Sequence, residues 1–120
     1  MAGLQSKSLD SPDETRPIED GTVEIVHLDG GMVMRTIFEP GWRWSKSVKP
    51  VAGTDSCQTH HLGYCISGHM HVVMDDGQEI DVGPGEAIEI PPGHDAWVVG
   101  DEPYVGVDVT GGASYAGGGR

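Results

Sequence analysis

Positive charge is scarce in this chain. Seven lysines and arginines stand against 19 aspartates and glutamates, for a formal net charge of −12. A surface of that sign repels phosphate backbones and anionic headgroups, so neither nucleic acid nor a membrane surface is an expected partner. Long apolar runs are missing as well, and nothing approaches the roughly 18 residues of a membrane span. The opening MAGLQSKSLDSPDETRP has no apolar core of the kind a secretory signal carries. A soluble, cytoplasmic protein is expected. Helix-length segments are absent too: the longest stretch free of Gly and Pro is the nine residues Thr54 to Leu62. A mean helix runs to roughly 11–12 residues, and an interior Gly or Pro costs it about 1 or 3 kcal/mol. Leucine, at four, is outnumbered by 20 valines and isoleucines, which favours pleated strands. The expected fold class is all-β.

Cysteine is limited to Cys57 and Cys65. If both lie on one extended strand they are roughly 25 Å apart, far beyond a disulfide. Free thiols fit a reducing compartment. No organic cofactor is indicated.

What the chain has in plenty is turn material. Glycine at 19 and proline at 8 make 27 of 120 residues, about twice ordinary usage. Between the turns lie short apolar runs: Val23–Leu28, Met32–Phe38, Asp55–Ile66, Met70–Met74, Glu79–Val82, Ala87–Ile90, Ala96–Val99 and Tyr104–Val109. Short strands at this rhythm indicate a sandwich or barrel. Residues 1–20 read as a flexible arm or an added edge strand, 21–110 as one barrel, and 111–120 as a disordered Gly-rich tail.

The period of two also selects chemistry. On an extended Asp55–Cys65 strand, Asp55, Cys57, Thr59, His61, Gly63 and Cys65 share one face, while His60, Leu62 and Tyr64 share the other. The first face lines up a carboxylate, a thiol and an imidazole, all competent metal ligands. The plain alternative is a polar stripe facing solvent. On such a strand Cys57 and His61 are roughly 13 Å apart, too far for the imidazole to activate the thiol unless the strand bends. His69 and His71 lie opposite Met70, Val72 and Met74 and are expected on the surface. Trp42 and Trp44 flank one mouth of the barrel, as ligand floor or as packing.

In order and spacing, several of these segments resemble the cupins, small double-stranded β-helix (jelly-roll) barrels. Gly85, Pro91 and Gly93 in GEAIEIPPGHDAW match the second cupin motif, G-x5-P-x-G-x2-H-x3-N. Tyr64-Cys65-Ile66-Ser67-Gly68 matches the end of the first, G-x5-H-x-H-x3–4-E-x6-G, and Pro40–Trp44 resembles the turn that leads into it. The resemblance spans about Met32 to Val109. It implies a metal site whose positions carry substitutes here. Counting back from Gly68, the family's glutamate falls on His61 and its two histidines on Cys57 and Asp55. The last histidine falls on Ala96, the asparagine on Gly100 and the leading glycine on Lys49.

Two readings follow. In one, Asp55, Cys57, His61 and His94, the last turned inward from its loop, hold a divalent metal. Zn²⁺ suits that donor set first, Fe²⁺ or Ni²⁺ next, and the barrel acts on or binds a small molecule. In the other, favoured by Ala96, the barrel is a metal-free binding or sensing module. A homodimer is expected, with the N-terminal arm adding a strand to a neighbour's edge. The fold leaves the reaction open.

Overall fold

The computed structural model describes residues 3–109. The Gly-rich tail expected at 111–120 lies outside the described residues. Nine strands form two antiparallel sheets. They are β1 (Glu14–Ile18), β2 (Gly21–Leu28), β3 (Gly31–Phe38), β4 (His61–Ser67), β5 (His69–Met74), β6 (Glu79–Val82), β7 (Ala87–Ile90), β8 (His94–Val99) and β9 (Tyr104–Asp108). The larger sheet has the order β1-β2-β3-β9-β4-β7 and the smaller β6-β5-β8. Two single-turn helices, α1 (Trp44–Ser47) and α2 (Lys49–Ala52), lie between β3 and β4. The architecture is the jelly-roll barrel expected for an all-β chain.

Alternation along the strands builds the core. Val23, Ile25, Met34 and Phe38 from the large sheet meet Met70, Val72, Val82 and Ala96 from the small one. Each of the larger of these side chains contributes roughly 1.5–3 kcal/mol by leaving water, and the Ala96 methyl about 0.8 kcal/mol. Residues 14–18 are the edge strand of this chain's own large sheet, with Glu14 opposite Ile25 and Ile18 opposite Gly21.

One expected strand is shorter than its pattern. The Asp55–Ile66 run is extended only from His61. Upstream, polar side chains bond the local backbone: Thr54 Oγ1 donates to the Ser56 carbonyl (2.7 Å), and Gln58 Nε2 donates to the same oxygen (3.3 Å). Such bonds compete with a strand ladder and turn the chain. Cys57 instead forms an isolated bridge with His94, donating its N–H to the His94 carbonyl at 2.7 Å. The two-residue parity assumed for Asp55–His60 therefore does not apply there. Within β4 it does: Cys65 is buried and His61 and Gly63 half-buried, while Leu62, Tyr64 and Ile66 are exposed.

Candidate metal centre

The bend at 54–60 decides where the chemistry falls. Cys57, tied to the start of β8, and His61, the first residue of β4, come together with the Cys57 sulfur 3.7 Å from His61 Nε2. The roughly 13 Å separation expected along a continuous strand is thus corrected: the chain turns between them. His94 opens β8 and is buried on the same face as Ala96, two residues on. Its ring packs edge-on against His61 with centroids 5.3 Å apart. One donor atom from each of Cys57, His61 and His94 lies within 4.8 Å of the other two.

Asp55 is not brought to this group. Its side chain is fully exposed, 3.9 Å from the Lys49 ammonium. In its place stands Asp108, which sequence reasoning did not single out. Asp108 ends β9, is 7% exposed, and its carboxylate accepts a hydrogen bond from His61 Nδ1. The signal was parity: Tyr104, Gly106 and Asp108 are the buried face of β9, and the valines between them the outer one. Gly63 lets β9 come this close. It pairs with Asp108, and a Cβ at Gly63 would sit 2.3 Å from the Val107 carbonyl oxygen.

The ring nitrogens are therefore assigned by their partners. A carboxylate and a carbonyl only accept, so Nδ1 of His61 carries its proton toward Asp108, and Nδ1 of His94 donates to the Pro91 carbonyl (2.8 Å). Both Nε2 atoms are left as the metal-competent donors. This is the arrangement by which outer partners orient histidine ligands. Burial alone would raise the Cys57 thiol, but the imidazoles of His61 and His94 outweigh it and bring its pKa down to about 6. Burial alone would lower His61, but Asp108 and the Cys57 sulfur raise it to about 9. The pair rests as thiolate and imidazolium.

A tetrahedral zinc ion places a thiolate and an imidazole nitrogen about 3.6 Å apart, from bond lengths of about 2.3 and 2.0–2.1 Å. The Cys57–His61 spacing of 3.7 Å already matches. One sulfur and two nitrogens are three of the four donors that a tetrahedral zinc site takes.

His61, His94 and Asp108 reach a cavity of about 510 Å³, its solvent-open mouth included. Trp42 and Trp44 belong to its wall, because residues 42–44 run alongside β8. Val98 donates to the Trp42 carbonyl (3.1 Å), and Arg43 bridges Trp97 and lies 4.2 Å over its ring. That alternation turns Arg43 out and both tryptophans in. On the outside, His69 is exposed, His71 lies between Asp81 and Glu79 (2.6 Å each), and His60 meets Glu89 (3.0 Å).

Fold and cavity together define a small jelly-roll barrel with a thiol and two imidazoles gathered inside it. A family model, the cupin domain, matches residues 51–110. The chain belongs to the cupin family. Among solved structures it is similar to the polyketide cyclase RemF from Streptomyces resistomycificus, at TM-score 0.64 and 19% identity, over 91% of this chain and 80% of that one. KdgF from Halomonas sp. matches at TM-score 0.55 and 22% identity, over 79% and 82%. Oxalate decarboxylase from Lactobacillus farciminis matches at 0.56 and 19%, over 81% of this chain and 30% of that one. These likenesses carry the fold. No curated protein matches the sequence.

Proposed function

We propose that this cupin binds one divalent metal, zinc in first place, through Cys57 Sγ, His61 Nε2 and His94 Nε2, and that it binds or acts on a small molecule in the adjoining cavity. The observation that carries this reading is that one donor atom from each of Cys57, His61 and His94 lies within 4.8 Å of the other two, while both Nδ1 atoms are paired with acceptors and the Nε2 atoms are left for a metal. Iron or nickel is the next choice for such donors. A metal held there supplies Lewis acidity to an oxygen of the bound molecule. The chain's own part is to fix the imidazoles through Asp108 and Pro91, to hold the sulfur deprotonated, and to keep water out with aromatic walls. Two free cysteines support a reducing, cytoplasmic setting. No helix among the described residues is long and apolar enough to cross a membrane.

Elemental analysis of the purified chain tests the reading. One equivalent of metal is expected, lost in Cys57→Ser and in His61→Ala and weakened in His94→Ala. Asp55→Ala and His60→Ala are expected to keep it, since Asp55 points to solvent and His60 to Glu89. Full metal content in Cys57→Ser or His61→Ala would overturn the donor set. The metal-free binding module is favoured by one observation: Ala96, at the family's last ligand position, is buried and presents a methyl group to the cavity. A protein that takes up no divalent ion selects that reading.

A further inference from the structure

Cys57 and His94 reach the site from two chain segments, and both segments are tied to a third. Asp75 opens the turn between β5 and β6. Its backbone N–H donates to the Gly93 carbonyl (2.8 Å), and its carboxylate accepts from the Ser56 hydroxyl (2.8 Å). Ser56 immediately precedes Cys57, and Gly93 immediately precedes His94. One residue thus holds the chain neighbour of each of two donors. Backbone bonds complete the knot: Gly93 N–H donates to the Cys57 carbonyl, and Cys57 N–H to the His94 carbonyl, each at 2.7 Å. Ser56 is 7% exposed, and its hydroxyl accepts from Gln58 Nε2 at 3.0 Å. A carboxylate only accepts, so the hydroxyl proton lies toward Asp75. The carboxylate also sits over Gly93, whose φ is +96°, where a Cβ would be 3.2 Å from Asp75 Oδ2. Asp75 itself is exposed, so trimming its side chain opens no hole in the core.

Resting on the reading of Cys57, His61 and His94 as a metal centre, we propose that Asp75 is a positioning residue of that centre, which through Ser56 holds the Cys57 sulfur against the two imidazoles. It touches no donor atom and acts through the loop. Without the carboxylate, the Ser56 hydroxyl either stays buried with its proton unanswered or turns to water. The second course carries Cys57 outward with it. Cys57 is 2% exposed in the closed arrangement, so a swung-out loop shows as an accessible thiol.

The first measurement needs no metal. The full chain is stripped with EDTA and alkylated with iodoacetamide at pH 8, where the Cys57 sulfur, with its pKa of about 6, is already a thiolate and the rate reads access. Fragment mass spectra separate Cys57 from Cys65. Asp75→Ala and Ser56→Ala should each speed alkylation of Cys57 by about threefold to tenfold, the loss of one hydrogen bond. The double variant should be no faster than the faster single one, since both remove the same bond. Asp75→Asn keeps an acceptor and should stay within about twofold of the unsubstituted chain. Cys65, at 0% exposure within β4, reports opening of the whole barrel and should not change. The second measurement is a cobalt(II) titration followed by the thiolate-to-metal charge-transfer band, which reports the bond to Cys57. Half-saturation is expected at about twofold to tenfold higher cobalt in both alanine variants and at the original concentration in Asp75→Asn. An unchanged Cys57 rate, a rise shared equally by Cys65, an Asp75→Asn that behaves as Asp75→Ala, or an unmoved cobalt midpoint each overturns the proposal. A chain that takes up neither zinc nor cobalt sinks the metal reading instead, and the alkylation rates still report whether Asp75 holds Cys57, so the two failures are told apart.

Discussion

His61 stands between Cys57 and Asp108, its Nε2 3.7 Å from the sulfur and its Nδ1 on the carboxylate. Three chain segments meet in that line: a bent loop, the first residue of β4 and the last of β9. The imidazole is thereby oriented from one side and used from the other.

Asp108→Asn removes the charge behind His61 while keeping the side chain's shape. Outer partners of metal-binding histidines are typically worth about 10–100-fold in affinity. A loss of at least about tenfold in zinc affinity is expected, measured by competition against a chelating dye, with the circular dichroism spectrum of the barrel unchanged. Unaltered affinity would show that Asp108 does no positioning.

The coupled protonation of Cys57 and His61 sets a pH dependence. Cys57 falls from an ordinary 9.0 to about 6 on folding, so its contribution to stability grows as pH rises between those values. His61 rises from 6.5 to about 9, so its contribution is full below 6.5 and is lost as pH climbs through 9. The two trends oppose each other: folded and unfolded chains each hold one proton on this pair, and the pair leaves stability nearly flat from 6.5 to 9. Metal affinity is not flat. The ion displaces the His61 Nε2 proton, so the pair makes apparent zinc affinity rise about tenfold per pH unit between pH 6 and 9. Below 6 the thiol proton must leave as well, and the slope steepens. Zinc titrations at pH 6.5, 7.25 and 8 read the slope directly, and a pH-independent affinity contradicts the thiolate–imidazolium pair.

Much of this was legible along the chain. Positive φ values at Gly77, Gly85, Gly93 and Gly100 put glycine in the left-handed region at turns between the short strands. Those turn signals, with valine-rich runs between them, carry the barrel. His61 and Gly63 face inward on the expected parity. Asp108 was hidden because VGVDV reads as a valine alternation, whereas Tyr104 and Asp108 are the buried partners. Its meeting with His61 also depends on β9 pairing with β4 more than 40 residues away. Asp55 was misplaced for the opposite reason, since local side-chain bonds at Thr54 and Gln58 overrode the extended pattern.

The outer face of β4 bears on assembly. Leu62, Tyr64 and Ile66 are 44%, 49% and 49% exposed, beside Val109 at 50%. An apolar stripe with one carboxylate at its margin, Glu89 opposite Leu62, on a chain of charge −12, suits a second copy related by a two-fold axis, because the same stripe meets itself. We therefore propose the dimer on this face; β1 pairs with β2 in its own sheet, so a dimer through the N-terminal arm would have to use the outer edge of β1. Light scattering should give twice 12.7 kDa, and Tyr64→Asp with Ile66→Lys should return the single-chain mass. A single-chain mass for the unsubstituted protein rejects the dimer.

Two glycine substitutions separate the barrel from the site. Gly68 has φ +79°, and a Cβ there would lie 2.2 Å from the Pro103 carbonyl oxygen. Holding alanine in that conformation costs about 1–3 kcal/mol before the clash is counted. Gly68→Ala should lower the melting temperature, yet it lies at the β4–β5 turn, away from the ligands, so zinc affinity of the folded fraction should stay within about twofold. Gly63→Ala meets the Val107 carbonyl at 2.3 Å, and relief requires β9 to move off β4. Overpacking of this kind typically costs about 1–3 kcal/mol. Here it also draws Asp108 away from His61, so zinc affinity should fall about as far as in Asp108→Asn. Combining Gly63→Ala with Asp108→Asn should then add little to the loss of metal, because both remove the same contact. Additive losses in that double variant would mean that Gly63 acts on the site by some route other than the approach of β9.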